Sequence, residues 1–524
     1  MTVADVLDGP PRLAWSVTLA PRSSVTLRWR LRVFDPSAIV RSPASVVEWA
    51  RPEVTAADRR LERLLARSLD DLESLRVRLT SGPDDTFLGA GVPWFLTLFG
   101  RDSLWAARML LPLGTTLAEG TLRVLAARQG STVDSTSGEA PGKILHELRR
   151  HDTSLPGNDL HLPAAYYGSV DSTLLWISLL HDAWRWGMPA EAVAALLPAL
   201  ESALGWLAHH GDPDGDGFLE YIDESGRGLS NQGWKDSGDS VRFRTGEIAR
   251  PPIALAEVQG YAYEAAIHGA ALLDAFDRPG ATRWREYAAS LAERFRARFW
   301  VDGPAGAHPA LALDRDKRPV DSLTSNIGHL LGTGMLTPKE SAQIADLLAS
   351  PAMAGGFGLR TMSTHDAAFS PLSYHCGSIW THDTAIVVDR LARAGHSTAA
   401  ATLARGLLEA AEAFDYQLPE LFGGDDRTAL GRPVPYPAAC RPQAWAAAAG
   451  ITLVHTAAGL RPDVPGGTVT VTPLEGAPLG AVEARGLVVA GSPIDIEVAS
   501  DGTTTVSGLP ADLRLTHPHR TTSP

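Results

Sequence analysis

Residues 231–240, "NQGWKDSGDS", place Asp236 and Asp239 beside Trp234, Lys235 and the amides of Asn231 and Gln232. The stretch follows neither the period of a helix nor the alternation of a strand. Asp, Gly and Ser are ordinary turn residues, so a solvated turn accounts for it as well. The same side chains could also break a glycosidic bond. That reaction needs one carboxylic acid to protonate the leaving oxygen and a second carboxylate to activate water or attack the sugar. Tryptophan stacks on sugar faces, and Asp, Asn, Gln and Arg grip the hydroxyls.

Similar residues recur in other loops. "GRDSLW" sets Arg101 and Asp102 where a helix begins, among aromatic rings. An N-cap with a surface pair explains them, and so does a charged pair on a site floor. "GKILHELR" gathers Lys143, His146, Glu147 and Arg149 within little more than one helical turn, as a solvated helix start would. Asp171 heads an apolar helix, where capping is reason enough for it. Glu420 in "LPELFGG" sits among Leu418, Leu421 and Phe422, an apolar setting able to raise its pKa. Asp212, Asp214, Asp216 and Asp223 fall on the spacing of a calcium loop, with Asp where the bidentate Glu belongs. A tight Asp/Gly turn gives the same string. Phosphate-loop, dinucleotide and serine-hydrolase motifs are absent, and the histidines lack zinc spacing.

The elements that must position these loops are mainly helices. After a Thr cap in "TAADRRLERLL", Leu61, Leu64, Leu65, Leu69 and Leu72 share one helical face. Further helices are predicted over 103–128, 171–186, 189–209, 251–275, 280–299, 338–349, 380–394, 397–414 and 441–459, with shorter ones near 143–150 and 321–332. The long loops between them hold the polar motifs, and such loops in a compact domain are usually functional. Ahead of the helices, Leu13, Trp15, Val17 and Leu19, then Val25, Leu27, Trp29, Leu31 and Val33, alternate like a hairpin. Residues 36–46 read as a linker. Strands return after about 464, in "GTVTVTPL", "GAVEARGLVVAG", "SPIDIEVAS", "GTTTVSGL" and "DLRLT".

A formal net charge of −13 over 524 residues, with no basic run, argues against nucleic acid or an anionic membrane as partner. The N-terminus has no signal-peptide pattern, and no apolar run suggests a membrane span, so a cytoplasmic protein is expected. Cys376 and Cys440 are expected to be buried free thiols.

Nine strings in order along the chain, "FGRDSLW", "GKILHE", "YYGSVDST", "DGDGFLEY", "NQGWKDSGDS", "RPPIALAEVQGY", "PLSYHCGSIWTHD", "LPELFGG" and "PVPYPAACRPQAWAAAA", resemble the amylo-α-1,6-glucosidase-like glycogen-debranching proteins of bacteria, within the six-hairpin glycosidases. The resemblance covers about residues 45–460. It implies a mainly α fold: an (α/α)6 toroid over 46–462, after a β-sandwich remnant and linker at 1–45 and before a small β-domain at 463–524. It also implies inverting hydrolysis of an α-glucosidic bond, on an oligosaccharide or small glycoside, with no required cofactor. By the resemblance Asp236 is the general acid, with Asp239 its rival, and Glu420 the general base. Arg101, Asp102, Glu147, Asp171, Asn231, Gln232, Trp234, Lys235, Asp239, His382 and Asp383 are then substrate-side, and Trp380 is a stacking platform.

Two departures qualify this. The N-terminal β-domain of such proteins is represented only by a terminal hairpin, which favours a small substrate. Thr384 in "GSIWTHDT" also stands where an amide is expected. Hydrolysis of glucosylglycerate, mannosylglycerate or trehalose would use the same catalytic pair, and a silent glucan-binding protein would use neither carboxylate. A sugar epimerase on a similar toroid would need catalytic histidines.

Overall fold

The leucine spacing behind Asp58 builds the first helix, α1 (Arg59–Ser74), which buries Leu61, Leu64, Leu65, Leu69 and Leu72. Its cap is Asp58, whose carboxylate accepts from the Arg60 N–H. Thr55, the expected cap, belongs instead to a strand, Glu53–Ala56. The computed structural model describes residues 15–28, 35–43, 49–155 and 159–516. Met1–Ala38 and Ile39–Pro524 form two compact units. In the first unit, residues 15–28 run exposed through one turn without a strand, so Trp15, Val17, Leu19, Val25 and Leu27 do not form the expected hairpin. A two-stranded ribbon has too little to bury on its own. Leu13, Trp29, Leu31 and Val33 lie outside the described residues. Within the expected linker, Val40–Arg41 pairs with Arg78–Leu79 as a short antiparallel strand.

The second unit continues with α2 (Gly100–Met109), α3 (Thr116–Ala126), α4 (Ser172–Arg185), α5 (Ala190–His209), α6 (Ala256–Ala275), α7 (Ala281–Arg298), α8 (Pro338–Leu348), α9 (Thr381–Arg393), α10 (Ser397–Ala413), the single turn α11 (Arg427–Leu430) and α12 (Ala444–Ala458). The helix expected over 103–128 is split into α2 and α3 around Pro112 and the left-handed Gly114. Residues 143–150 are not helical, because Glu147–Leu148 pairs as a strand with Ala165–Tyr166. The helix expected near 321–332 is a 3₁₀ segment, Ser325–Leu330.

Packing joins these elements in a closed circuit. α2 contacts α4, α4 contacts α6, and α6 contacts the 3₁₀ segment; that segment contacts α9, α9 contacts α12, and α12 returns to α2. Outside it, α1 packs on α12, α3 on α2 and α4, α5 on α4, α7 on α6, α8 on the 3₁₀ segment and α10 on α9. Sequence pattern sorts the two layers: α12 is buried on every side, whereas α1 is amphipathic. Helix α5 is long and apolar enough to cross a membrane, which the sequence reading did not anticipate. Its apolar side, Val193, Leu196, Leu197, Leu200, Leu204 and Leu207, is buried within the fold.

The final strands form as expected. Val482–Val489, Ser492–Val498 and Thr504–Ser507 make a sheet that Glu53–Ala56 completes at one edge. Leu460–Asp463, Thr468–Val471 and Arg514–Thr516 make a second sheet.

Candidate active site

The inner helices α2, α4, α6, α9 and α12 begin near one another. At their first turns stand Arg101 and Asp102, Asp171, Glu257, His382 and Asp383, and Trp445. Helix N-termini carry partial positive charge, a setting that favours anionic side chains. The far ends of these helices carry Arg108, Arg185, His268, Arg390, Arg393 and His455, around a cavity of about 230 Å³. There Arg108 and Arg390 are spent on Asp182 and Glu264.

Gly100 opens α2 because a side chain there would stand 2.1 Å from the Leu145 carbonyl and 2.6 Å from Ser172 Oγ. That close approach lets buried Arg101 reach Asp171, its Nε donating to Oδ2 at 2.7 Å. Asp171 occupies the N-cap of α4 yet makes no capping hydrogen bond, so its carboxylate serves Arg101 instead. Arg101 also donates to the Gln232 carbonyl at 3.2 Å, and its Nη1 lies 3.7 Å from Asp236 Oδ2. Removing one partner of such a buried pair typically costs about 3–5 kcal/mol.

Asp236 keeps 30% of its side chain exposed. Burial raises its carboxyl to about 6; Arg101 opposes the rise, and the charges of Glu147 and Asp171 add to it. The neighbouring lysine turns away: Lys235 Nζ donates to the Thr361 carbonyl at 2.6 Å. Burial lowers its ammonium to about 8, while Asp383 and Glu257 resist. Asn231 and Gln232 brace this loop. Asn231 donates to the Ser237 carbonyl at 2.8 Å and accepts from Tyr221, and the Gln232 carbonyl accepts from Val170. Asp239 is half-exposed and accepts from Ser237 at 2.8 Å, at the outer edge of the loop.

Glu420 stands just before the strand Leu421–Phe422, which pairs with Ile379–Trp380. Its Oε1 accepts from the Tyr374 hydroxyl at 2.8 Å and its Oε2 from the Cys440 N–H at 2.9 Å. Burial raises it to about 7, against those two donors, and the charge of Asp236 adds to the rise. Asp102 lies within the field of both carboxyls. Burial pushes it up to about 8, Arg101 opposes, and Asp236 and Glu420 reinforce the shift. Glu147 is buried and accepts from Arg149 at 2.7 Å.

Trp234, Trp380, His382 and Asp383, also expected on the substrate side, are as buried as Arg101, Asp171 and Lys235. Trp234 is 3% and Trp380 2% exposed. The Trp380 ring stacks on His375 and meets Tyr374 edge-on at 4.9 Å, so it braces Tyr374 and offers almost no face to a sugar. His382 stacks on Trp445 at 3.6 Å, and Asp383 accepts from His329 at 2.7 Å. Thr384 is buried and accepts from the Leu359 N–H, pinning a loop. Tyr374 and Glu257 had no assigned role from sequence. Glu257 is fully buried and accepts from Asn326 at 2.8 Å, and burial raises its carboxyl to about 7. Tyr374 sits inside "PLSYHCGSIWTHD", one of the nine strings, which was the available signal. Both cysteines are buried free thiols, as expected. Asp212, Asp214 and Asp216 cluster, but Asp223 folds back on its own turn, accepting from Ser225 and Gly228.

A family model described as mannosylglycerate hydrolase MGH1-like glycoside hydrolase domain matches residues 114–431, a span that holds Asp236 and Glu420. No curated protein matches the chain. Among solved structures, the GH78 family rhamnosidase of Bacillus sp. GL1 superposes with a TM-score of 0.61 at 16% identity, over 90% of this chain and 43% of its own. The GH63 mannosylglycerate hydrolase from Thermus thermophilus, in complex with Tris, gives 0.55 at 14% identity, over 74% of this chain and 98% of its own. A glycosidase in complex with glucose gives 0.51 at 16%, over 75% of this chain and 96% of its own. The chain thus spans less than half of the rhamnosidase and nearly all of the other two. The shared fold is that of a mostly helical glycosidase of the six-hairpin type. The matching family is the mannosylglycerate hydrolase-like one, and the debranching specificity suggested by the nine strings finds no counterpart in it.

Proposed function

From the premise that the chain belongs to the mannosylglycerate hydrolase MGH1-like glycoside hydrolase family, we propose that it hydrolyses a small α-glycoside of the glucosylglycerate, mannosylglycerate or trehalose kind, with inversion. The closed helix circuit with its outer layer supports reading the fold as an (α/α)6 toroid. Asp236 and Glu420, on two loops at one end of that circuit, carry the reading: burial raises both carboxyls, Asp236 part-exposed beside Arg101 and Glu420 held as an acceptor by two donors.

Protonated Asp236 donates to the glycosidic oxygen while Glu420 takes a proton from water on the opposite ring face. The C–O bond breaks as water adds, through an oxocarbenium-like transition state. Asp236 lies near about 6 and Glu420 near about 7, so between these values the two carboxyls together hold one proton. Hydrogen bonds to an ionised carboxylate favour that form. With Arg101 beside Asp236, the single proton resides mainly on Glu420, and the reactive arrangement, proton on Asp236 and charge on Glu420 with its two donors, is the minor form of that state. Below about 6 the two carboxyls together hold two protons and above about 7 none, and neither state offers an acid and a base at once. The profile of kcat/KM against pH is expected to be a bell peaking between these values. A profile still rising above pH 8 would contradict it.

Sugar release from glucosylglycerate, mannosylglycerate, trehalose, isomaltose and limit dextrin, compared side by side, tests the substrate. Fast turnover of one of the first three with little from limit dextrin supports the proposal. Turnover of limit dextrin alone would return the reading to debranching. Binding of glucan without turnover of any substrate would favour a silent binding protein.

A further inference from the structure

The acidic turn at 212–220 lies outside the catalytic loops. Asp212, Asp214 and Asp216 bring carboxylate oxygens within 4.8 Å of one another. Glu220 joins them with a side chain that has no solvent exposure and an Oε2 without a hydrogen-bond partner. Amid these acids stands the Nζ of Lys317, 2.7 Å from Asp214 Oδ2, 2.9 Å from Asp216 Oδ2 and in contact with Glu220 Oε1. Asp212 serves the turn itself, accepting from the N–H groups of Gly215 and Gly217 at 2.8 Å each.

The lysine is held in place from its own side too. Lys317 has φ 58°, a left-handed conformation that residues with side chains seldom adopt. Asp314 fixes the turn around it, its carboxylate accepting from the Asp316 and Arg318 N–H groups and its carbonyl from the Lys317 N–H. Burial opposes the charge of Lys317, but hydrogen bonds to Asp214, Asp216 and Glu220 keep its ammonium protonated well above the ordinary lysine range.

Calcium is bound by six to eight oxygens, largely carboxylates, at about 2.3–2.6 Å. Asp212, Asp214, Asp216 and Glu220 bring that kind of donor together, yet a single ammonium satisfies three of them. We infer that this turn is a cation site which the chain fills with its own Lys317, so that a divalent ion of calcium's class enters only when the lysine is removed. The clamp bears on the candidate active site through one residue: Tyr221, next to Glu220, donates to Asn231 at 2.7 Å in the loop that carries Asp236. A lysine fixed by covalent sequence holds that loop without depending on metal supply.

The test compares full-length wild type with Lys317→Gln and Lys317→Arg, in chelator and in calcium chloride, by thermal melting and calorimetric titration with calcium. Wild type and Lys317→Arg are expected to melt at the same temperature in both solutions and to show no saturable binding. Lys317→Gln is expected to melt roughly 2–4 °C lower in chelator, to recover in calcium and to show one titratable site. If Lys317→Gln fails to fold in chelator, refolding it in calcium reads the same property, and recovery supports the inference. Saturable calcium binding by wild type would overturn it. So would a Lys317→Gln protein that does not respond to calcium in either assay.

Discussion

Glu420→Gln is expected to lose about a hundred- to ten-thousand-fold in kcat, on activated and ordinary substrates alike. The base is needed whatever the leaving group, because water must lose a proton as it attacks. The fold is expected to survive, since a glutamine oxygen still accepts from the Cys440 N–H while its amide NH2 donates to the Tyr374 hydroxyl, which can turn to accept. Burial costs a neutral amide less than a carboxylate, so the melting temperature of Glu420→Gln should match or exceed that of wild type. Steady-state kinetics on the best substrate of the panel, with a melting curve on the same sample, checks both statements. A variant retaining more than about a tenth of wild-type kcat would remove Glu420 from the role of base.

Asp236→Asn is expected to show the opposite dependence on leaving group. Its loss on the natural glycoside should again be about a hundred- to ten-thousand-fold, because no proton reaches the leaving oxygen. On the corresponding α-glycosyl fluoride, whose leaving group needs little protonation, the variant should remain within roughly tenfold of wild type. Arg101 keeps Asp171 as its partner, so the buried charge network is not broken. Equal losses on both substrates would show that Asp236 acts otherwise, for example by holding Arg101. The same pair of substrates tests Asp239. At the outer edge of the loop and bonded to Ser237, it should tolerate Asp239→Asn with little change on either.

Much of this arrangement was legible in the sequence because it is local. The leucine stripe of α1 and the alternation of the final strands each record which face is buried, so their elements formed where expected. The loop 231–240 stood out through residue types that no helix or strand requires. What stayed hidden depends on partners far along the chain. Asp171 looked like an N-cap, and only the approach of Arg101, seventy residues earlier, gives its carboxylate another task. Residues 143–150 had a helix-like charge pattern, but pairing of Glu147–Leu148 with Ala165–Tyr166 overrides it. The strand Glu53–Ala56 is fixed by Val482–Val489, more than four hundred residues away. Trp234 and Trp380 were expected at the sugar by the resemblance. Both are nearly buried and pack against the buried rings of His375 and His382. Tyr374 matters through one hydroxyl on Glu420, which no spacing rule announces.

The central claim is that water activated by Glu420 displaces the leaving group protonated by Asp236 in a single step. The anomeric configuration of the first-formed sugar tests it most directly, followed by proton NMR within the first minutes of wild-type turnover of an α-glycoside whose leaving group is not itself a sugar. Direct displacement predicts that the β-anomer appears first and that the α-anomer grows in only as the sugar mutarotates. Initial release of the α-anomer would contradict the account, since it requires a covalent intermediate and a second inversion.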